Sequence, residues 1–201
     1  MSETIINTSN PLQGERVAGT VGFALPGQQV RVASEDGVVV PAGEVGMIEV
    51  AGPNVFQGYW RMPEKTAEEV RPDGFFITGD LGVQAADGRL SIVGRSKDLV
   101  ISGGYNVYPK EVEVALDEMP QVAESAVIGV PHPDFGEAVV AVVVPAGDEV
   151  TQADVDAALG DRLARVKQPK RVRNVAELPR NTMGQVQKNL LRDQHGDLFA
   201  S

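Results

Sequence analysis

Residues 137–145, EAVVAVVVP, set seven apolar residues in succession, five of them valine. Valine is stiff at χ1 and packs best on a pleated surface. A run with no polar alternation belongs to a strand buried in a sheet interior. Any fold for this chain has to cover that strand. The flanking sequence offers the cover. YPKEVEVALDEM (108–119) predicts a helix with Pro109 early and acids in its first turn. VAESAVIGV (122–130) predicts a second strand. TQADVDAALGDRLARV (151–166) predicts an amphipathic helix opened by a Thr151/Asp154 capping box. RVRNVAEL (171–178) predicts a last strand, and Gly184 to Gln194 a last helix.

The front half reads differently. QQVRVAS (28–34), GVVV (37–40) and GMIEVAG (46–52) predict strands, with a tight turn at Asp36-Gly37. A short helix is expected in MPEKTAEEV (62–70), with Pro63 in its first turn. GFFITGD (74–80) and RLSIVG (89–94) flank Asp87-Gly88, a second hairpin signal. The character changes after Gly94-Arg95-Ser96-Lys97. The expected class is therefore α+β, with a strand-rich unit over 1–96 and a small α+β unit over 97–201. A sheet with one short helix buries little apolar surface, so the front unit is expected to need a partner.

Charge and composition exclude several functions. The net charge of −10 argues against a nucleic-acid partner. No run is long and apolar enough for a membrane span, so no membrane partner is expected. With no cysteine and only His132 and His195, thiolate and histidine metal sites are not expected. The lack of cysteine fits a reducing, cytoplasmic setting. Half of the 18 basic residues nevertheless fall between Arg162 and Arg192. They form either a solvated face or a basic wall for a small polyanion such as a nucleotide or coenzyme phosphate.

Three stretches carry chemistry. FFITGD (75–80) puts an acid just past a strand, where a carboxylate can accept both hydroxyls of a ribose; read alone, strand-Gly-Asp is a turn. VGRSKDLVISGGYNVYPKEVE (93–113) joins Gly-Arg, a charged joint, a Gly-Gly loop and a helix start. PRNTMGQVQKN (179–189) runs a turn into a glycine followed by Gln185.

Taken in order with ETIINTSNP (3–11) and GPNVFQGYWRMPEKT (52–66), these stretches resemble the adenylate-forming superfamily of acyl-CoA synthetases, luciferases and adenylation domains. Within it they look most like bacterial malonyl-CoA synthetases. The resemblance implies an α+β fold in which 1–96 is the end of the large AMP-binding domain and 97–201 the mobile C-terminal domain. It implies ATP, with AMP as product, Mg2+, coenzyme A and a small-molecule carboxylate as partners. By position, Asp80 and Arg95 match the ribose-binding pair and Ser2 a hydroxyl on the ATP phosphates. Glu3 matches a carboxylate supporting Mg2+, and Lys97 the hinge. Gly103, Gly104 and Tyr105 match the loop that serves thioester formation.

Two departures follow. The chain begins inside the motif that holds Ser2 and Glu3, so the phosphate loop and acyl pocket are expected in a missing N-terminal domain. The family's catalytic lysine is replaced by Gln185. A glutamine donates a hydrogen bond without charge, and charged bonds are about twice as strong. The expected activity is thus that of an acyl-CoA synthetase portion, inactive by itself; the alternative is a non-catalytic remnant that acts at most as a binding module. Lys188, three residues on, is read as matching its own, often basic, family position rather than as a replacement for the lysine.

Overall fold

The computed structural model describes residues 1–200. Contacts divide it into one unit over Met1–Lys97 and another from Asp98 onward. It is strand-rich with few helices, as the α+β reading requires.

The first unit is a four-stranded antiparallel sheet in the order β3 (Gln29–Ala33), β4 (Val45–Ala51), β5 (Phe76–Gln84) and β6 (Leu90–Arg95). A short ribbon, β1 (Thr8–Ser9) with β2 (Phe23–Ala24), precedes it. Helix α1 (Pro63–Glu69) starts on its proline, which needs no amide partner in the first turn. Val32, Ile48, Val50 and Leu90 form its buried cluster. Glu49, fully buried on β4, is held between Arg31 and Arg71 at 2.7 and 2.9 Å. GVVV does not form a strand. It turns back at Gly37 and meets β3 at an isolated bridge from Ala33 to Val39, with the Val40 amide on the Val32 carbonyl at 3.0 Å and Val40 packed against the buried cluster, leaving Val38 and Val39 exposed.

The second unit is built on a five-stranded sheet of β7 (Val100–Ser102), β8 (Tyr105–Val107), β9 (Val122–His132), β10 (Gly136–Pro145) and β11 (Arg171–Asn174). β10 pairs with β9 along its length and in parallel with β11 on its other edge. Its side chains alternate between two cores. Val139, Ala141 and Val143 face α2 (Pro109–Asp117) and α3 (Gln152–Leu159), while Val140 and Val142 join Leu178 and Leu191 of α4 (Lys188–His195). Cover on both faces is why the run reads as continuously apolar.

Three boundaries differ from the sequence reading. α3 has the expected capping box, but it stops at Leu159, with Gly160 as its cap, and not at Val166. β11 ends at Asn174, so Leu178 packs into the core from outside a strand. α4 begins at Lys188 and not at Gly184, because Arg180 bridges to Val186 and Gln187 donates to the Pro179 carbonyl at 2.8 Å. Residues 184–187 are the return arm of a hairpin. Among the described residues, no helix is long and apolar enough to cross a membrane.

Candidate functional site

Register alone brings Asp80 and Arg95 together: they are cross-strand partners on β5 and β6, and Arg95 Nε lies 2.8 Å from Asp80 Oδ1 as an ion pair. Burial pushes the Asp80 carboxyl above the usual range; Arg95, and less so the N-terminal ammonium, pull it back. Gly79 turns the strand ahead of it, and the Asp80 amide donates to Thr78 Oγ1 at 3.1 Å. Arg95 is the only side-chain partner of this carboxylate among the described residues. Its second oxygen is therefore open to a donor such as a sugar hydroxyl.

Ser2 is exposed. Glu3 Oε1 lies 3.2 Å from the Tyr59 hydroxyl, which donates to Glu69 Oε2 at 2.5 Å. Burial and these two carboxylates raise the Tyr59 pKa well above the usual phenol range. One phenolic proton cannot serve both acids, so one carboxylate stays open to a cation. Among the described residues no three acidic or histidine side chains converge as a metal cluster. Mg2+ often takes just one or two carboxylates plus phosphate oxygens, and this donor set fits that use.

Lys97 is exposed in the 3-10 turn Ser96–Asp98. Gly103 and Gly104 turn the β7–β8 hairpin with φ of +58° and +82°, left-handed values that glycine adopts without strain. Tyr105 follows, 64% exposed. The Gly103 amide donates to the Phe135 carbonyl at 2.9 Å.

Gln185 is exposed near the end of the 179–187 hairpin, just after Gly184 at φ +79°. Lys188 is turned inward on the first turn of α4, where Nζ meets Glu113 Oε1 at 2.5 Å. Sequence reasoning missed Glu113. Its signal was present: Pro109, Val112, Glu113 and Leu116 follow helical i, i+3, i+4, i+7 spacing, which puts a carboxylate on the buried stripe of α2. Such a carboxylate calls for a cation from elsewhere in the fold.

The basic stretch separates into two sets. Lys167 pairs with Glu111, Arg180 with Glu124, Lys188 with Glu113, Arg192 with Asp98, and Arg162 with Glu118. Arg165, Lys170, Arg171 and Arg173 have no ion-pair partner among the described residues. The first three line an open cavity of about 400 Å3 with Gln152, Gln168 and one carboxylate, Asp156, which accepts from the Gln152 side chain at 2.8 Å. Lys170 Nζ lies 5.7 Å from the Phe135 ring centre, so the cavity borders the residue that anchors Gly103.

Comparison with known proteins identifies the family. Residues 1–60 match the profile of the AMP-binding enzyme family, and residues 111–185 match that of the AMP-binding enzyme C-terminal domain. The ATP-bound crystal structure of MatB from Rhodopseudomonas palustris is 60% identical and superposes with a TM-score of 0.94, over 99% of this chain and 40% of that one. The malonate–CoA ligase of Arabidopsis thaliana is 39% identical over 96% of this chain and 33% of its own length. The indoleacetate–CoA ligase of Aromatoleum aromaticum is 43% identical over 90% of this chain and 36% of its own. The chain thus spans about a third of the length of the curated relatives it matches.

Proposed function

Because this chain belongs to the AMP-binding, adenylate-forming enzyme family, as its C-terminal part, we propose that it serves an ATP-dependent acyl-CoA ligase acting on malonate or a similar small acid. Likeness to ATP-bound MatB along nearly the whole chain is the observation that carries this reading. In the first step a substrate carboxylate attacks the α-phosphorus of ATP and pyrophosphate leaves. In the second, the coenzyme A thiol attacks the acyl carbonyl and AMP leaves.

The roles we propose follow the geometry. Asp80 accepts the ribose hydroxyls through its open oxygen, and Arg95 holds that carboxylate in place. Ser2 donates to a phosphate. Glu3 supplies one oxygen to Mg2+, which when bound neutralises phosphate charge. Lys97 is the hinge, and the Gly103–Gly104–Tyr105 turn lets a pantetheine arm pass close to backbone. The unpaired cations Arg165, Lys170 and Arg171 form the wall for the coenzyme's phosphates. Gln185 occupies the adenylation tip without the charge that step uses. We place the protein in the cytoplasm, a compartment its cysteine-free sequence suits.

Gln185 also supports a second reading, a binding module that retains the fold without the first step. Thioester formation distinguishes the two, because it does not draw on residue 185. The chain is fused behind the preceding domain of MatB and given malonyl-adenylate and coenzyme A. Thioester at a rate near that of MatB supports the ligase; no thioester above background supports the binding module.

A further inference from the structure

We propose that Asn181 is the positioning residue of the 179–187 hairpin: it sets where residue 185 stands and, in this chain, tethers the Gln185 side chain to the turn. The functional weight of this rests on position 185 being the adenylation tip; the geometry does not.

The hairpin has little packing to define it. Thr182, Met183, Gly184 and Gln185 are all exposed, Met183 by 79%. Hydrogen bonds from Asn181 take the place of packing. Its backbone amide donates to the Gln185 carbonyl at 2.9 Å, and its carbonyl accepts the Gly184 amide at 2.9 Å. Its side-chain Oδ1 accepts the amides of both Met183 and Gln185 at 3.0 Å. Two donors converging on one atom fix the orientation of the Asn181 amide, since a flipped side chain would set its own N–H groups against them. Nδ2 is thereby aimed at Gln185 Oε1, which accepts at 3.1 Å.

One residue pair therefore shares three hydrogen bonds. A short side chain with an acceptor two atoms from the backbone is required: Asp has one, Ala has none, and Gln would overshoot. Arg180 ties the same turn to the sheet. Its guanidinium donates to the Gly184 carbonyl and to Glu124 of β9, both at 2.7 Å.

The tether depends on what stands at 185. An ammonium has no acceptor, so a lysine there would release Nδ2 of Asn181 and leave its own chain free to extend. Gln185 is tied back to the turn through its Oε1. Gln185 thus differs from lysine in reach as well as in charge.

The test uses the isotopically labelled 201-residue chain and NMR, without nucleotide or coenzyme. In Asn181→Ala, the Met183 and Gln185 backbone amides should exchange about three- to tenfold faster, the size of one modest hydrogen bond. Protection in β9 and β10 and the Tm should not change. Asn181→Asp should restore both backbone amides, while the Gln185 side-chain NH2 should be shifted from its parent position in both variants, because Nδ2 is gone from each. Gln185→Lys should leave the backbone amides protected and move the Asn181 side-chain NH2 to its solvent-exposed position. Unchanged exchange at 183 and 185 in Asn181→Ala overturns the proposal, as does faster exchange throughout the second unit. None of these readouts involves catalysis, so failure of the ligase reading leaves them standing.

Discussion

Lys188 Nζ sits 2.5 Å from Glu113 Oε1, and the same oxygen accepts the Val127 backbone amide at 2.9 Å. The contact joins the first turn of α4 to α2 and β9, with side-chain exposures of only 16% and 9%. A lysine spent in this way is not available as a charge at the exposed hairpin. The sequence reading of Lys188 as a separate position thereby acquires a physical reason.

Removing Lys188 should be costly. Lys188→Met leaves Glu113 as a buried carboxylate with one backbone donor, and breaking a buried pair costs about 3–5 kcal/mol. The double variant Lys188→Met/Glu113→Gln should recover a large part of that loss. Urea unfolding of the three chains measures both effects. A loss below about 1 kcal/mol for the single variant would show that the pair contributes no more than a surface contact.

Asp80 should make stability fall with rising pH. Burial holds its folded pKa above the ordinary value, opposed by Arg95. As pH rises, the unfolded chain ionises first, at about 3.9. Between the two pKa values the folded chain holds the extra proton, so stability declines across that window and stays lowered above it. Asp80→Asn should thus be more stable than the parent at pH 7, with the advantage vanishing near pH 3. An Asn variant whose relative stability worsens as pH rises would reverse the assigned direction.

The second unit should be the more persistent one. Its β10 is covered on both faces by separate clusters, whereas Val32, Ile48, Val50 and Leu90 make up the buried cluster of the first. Limited proteolysis should leave a fragment beginning near Asp98, and amide protection in β9 and β10 should outlast that in β3 to β6. A surviving fragment that keeps β3 to β6 and loses β10 would contradict this.

What the sequence revealed depended on how local each signal was. The buried β10, the Thr151/Asp154 capping box and the prolines opening α1 and α2 are set within a few residues, and each was legible. GVVV has strand composition, yet it follows the Gly37 turn and finds no ladder beyond Val39, so local propensity misled. The start of α4 was misread because the Arg180–Val186 bridge is a pairing across the hairpin. Asp80 and Arg95 were each found from motifs, but their direct contact needed the register of β5 on β6. Glu113 and Lys188, 75 residues apart, were not joined because nothing local pairs them. The Asn181 network is made of turn geometry, which the PRNTMGQVQKN sequence does not display.

On the function we propose, residue 185 is the adenylation tip, present in shape and lacking its charge. The direct measurement is the rate of acyl-adenylate formation from ATP and malonate by the MatB-domain fusion, with Gln185 and with Gln185→Lys, beside the thioester step from ready-made adenylate. Restoring one charged, preorganised contact is expected to raise adenylation by about 10²–10³-fold and to leave the thioester step nearly unchanged. Equal adenylation rates for the two fusions would contradict the account and assign the charge to another residue.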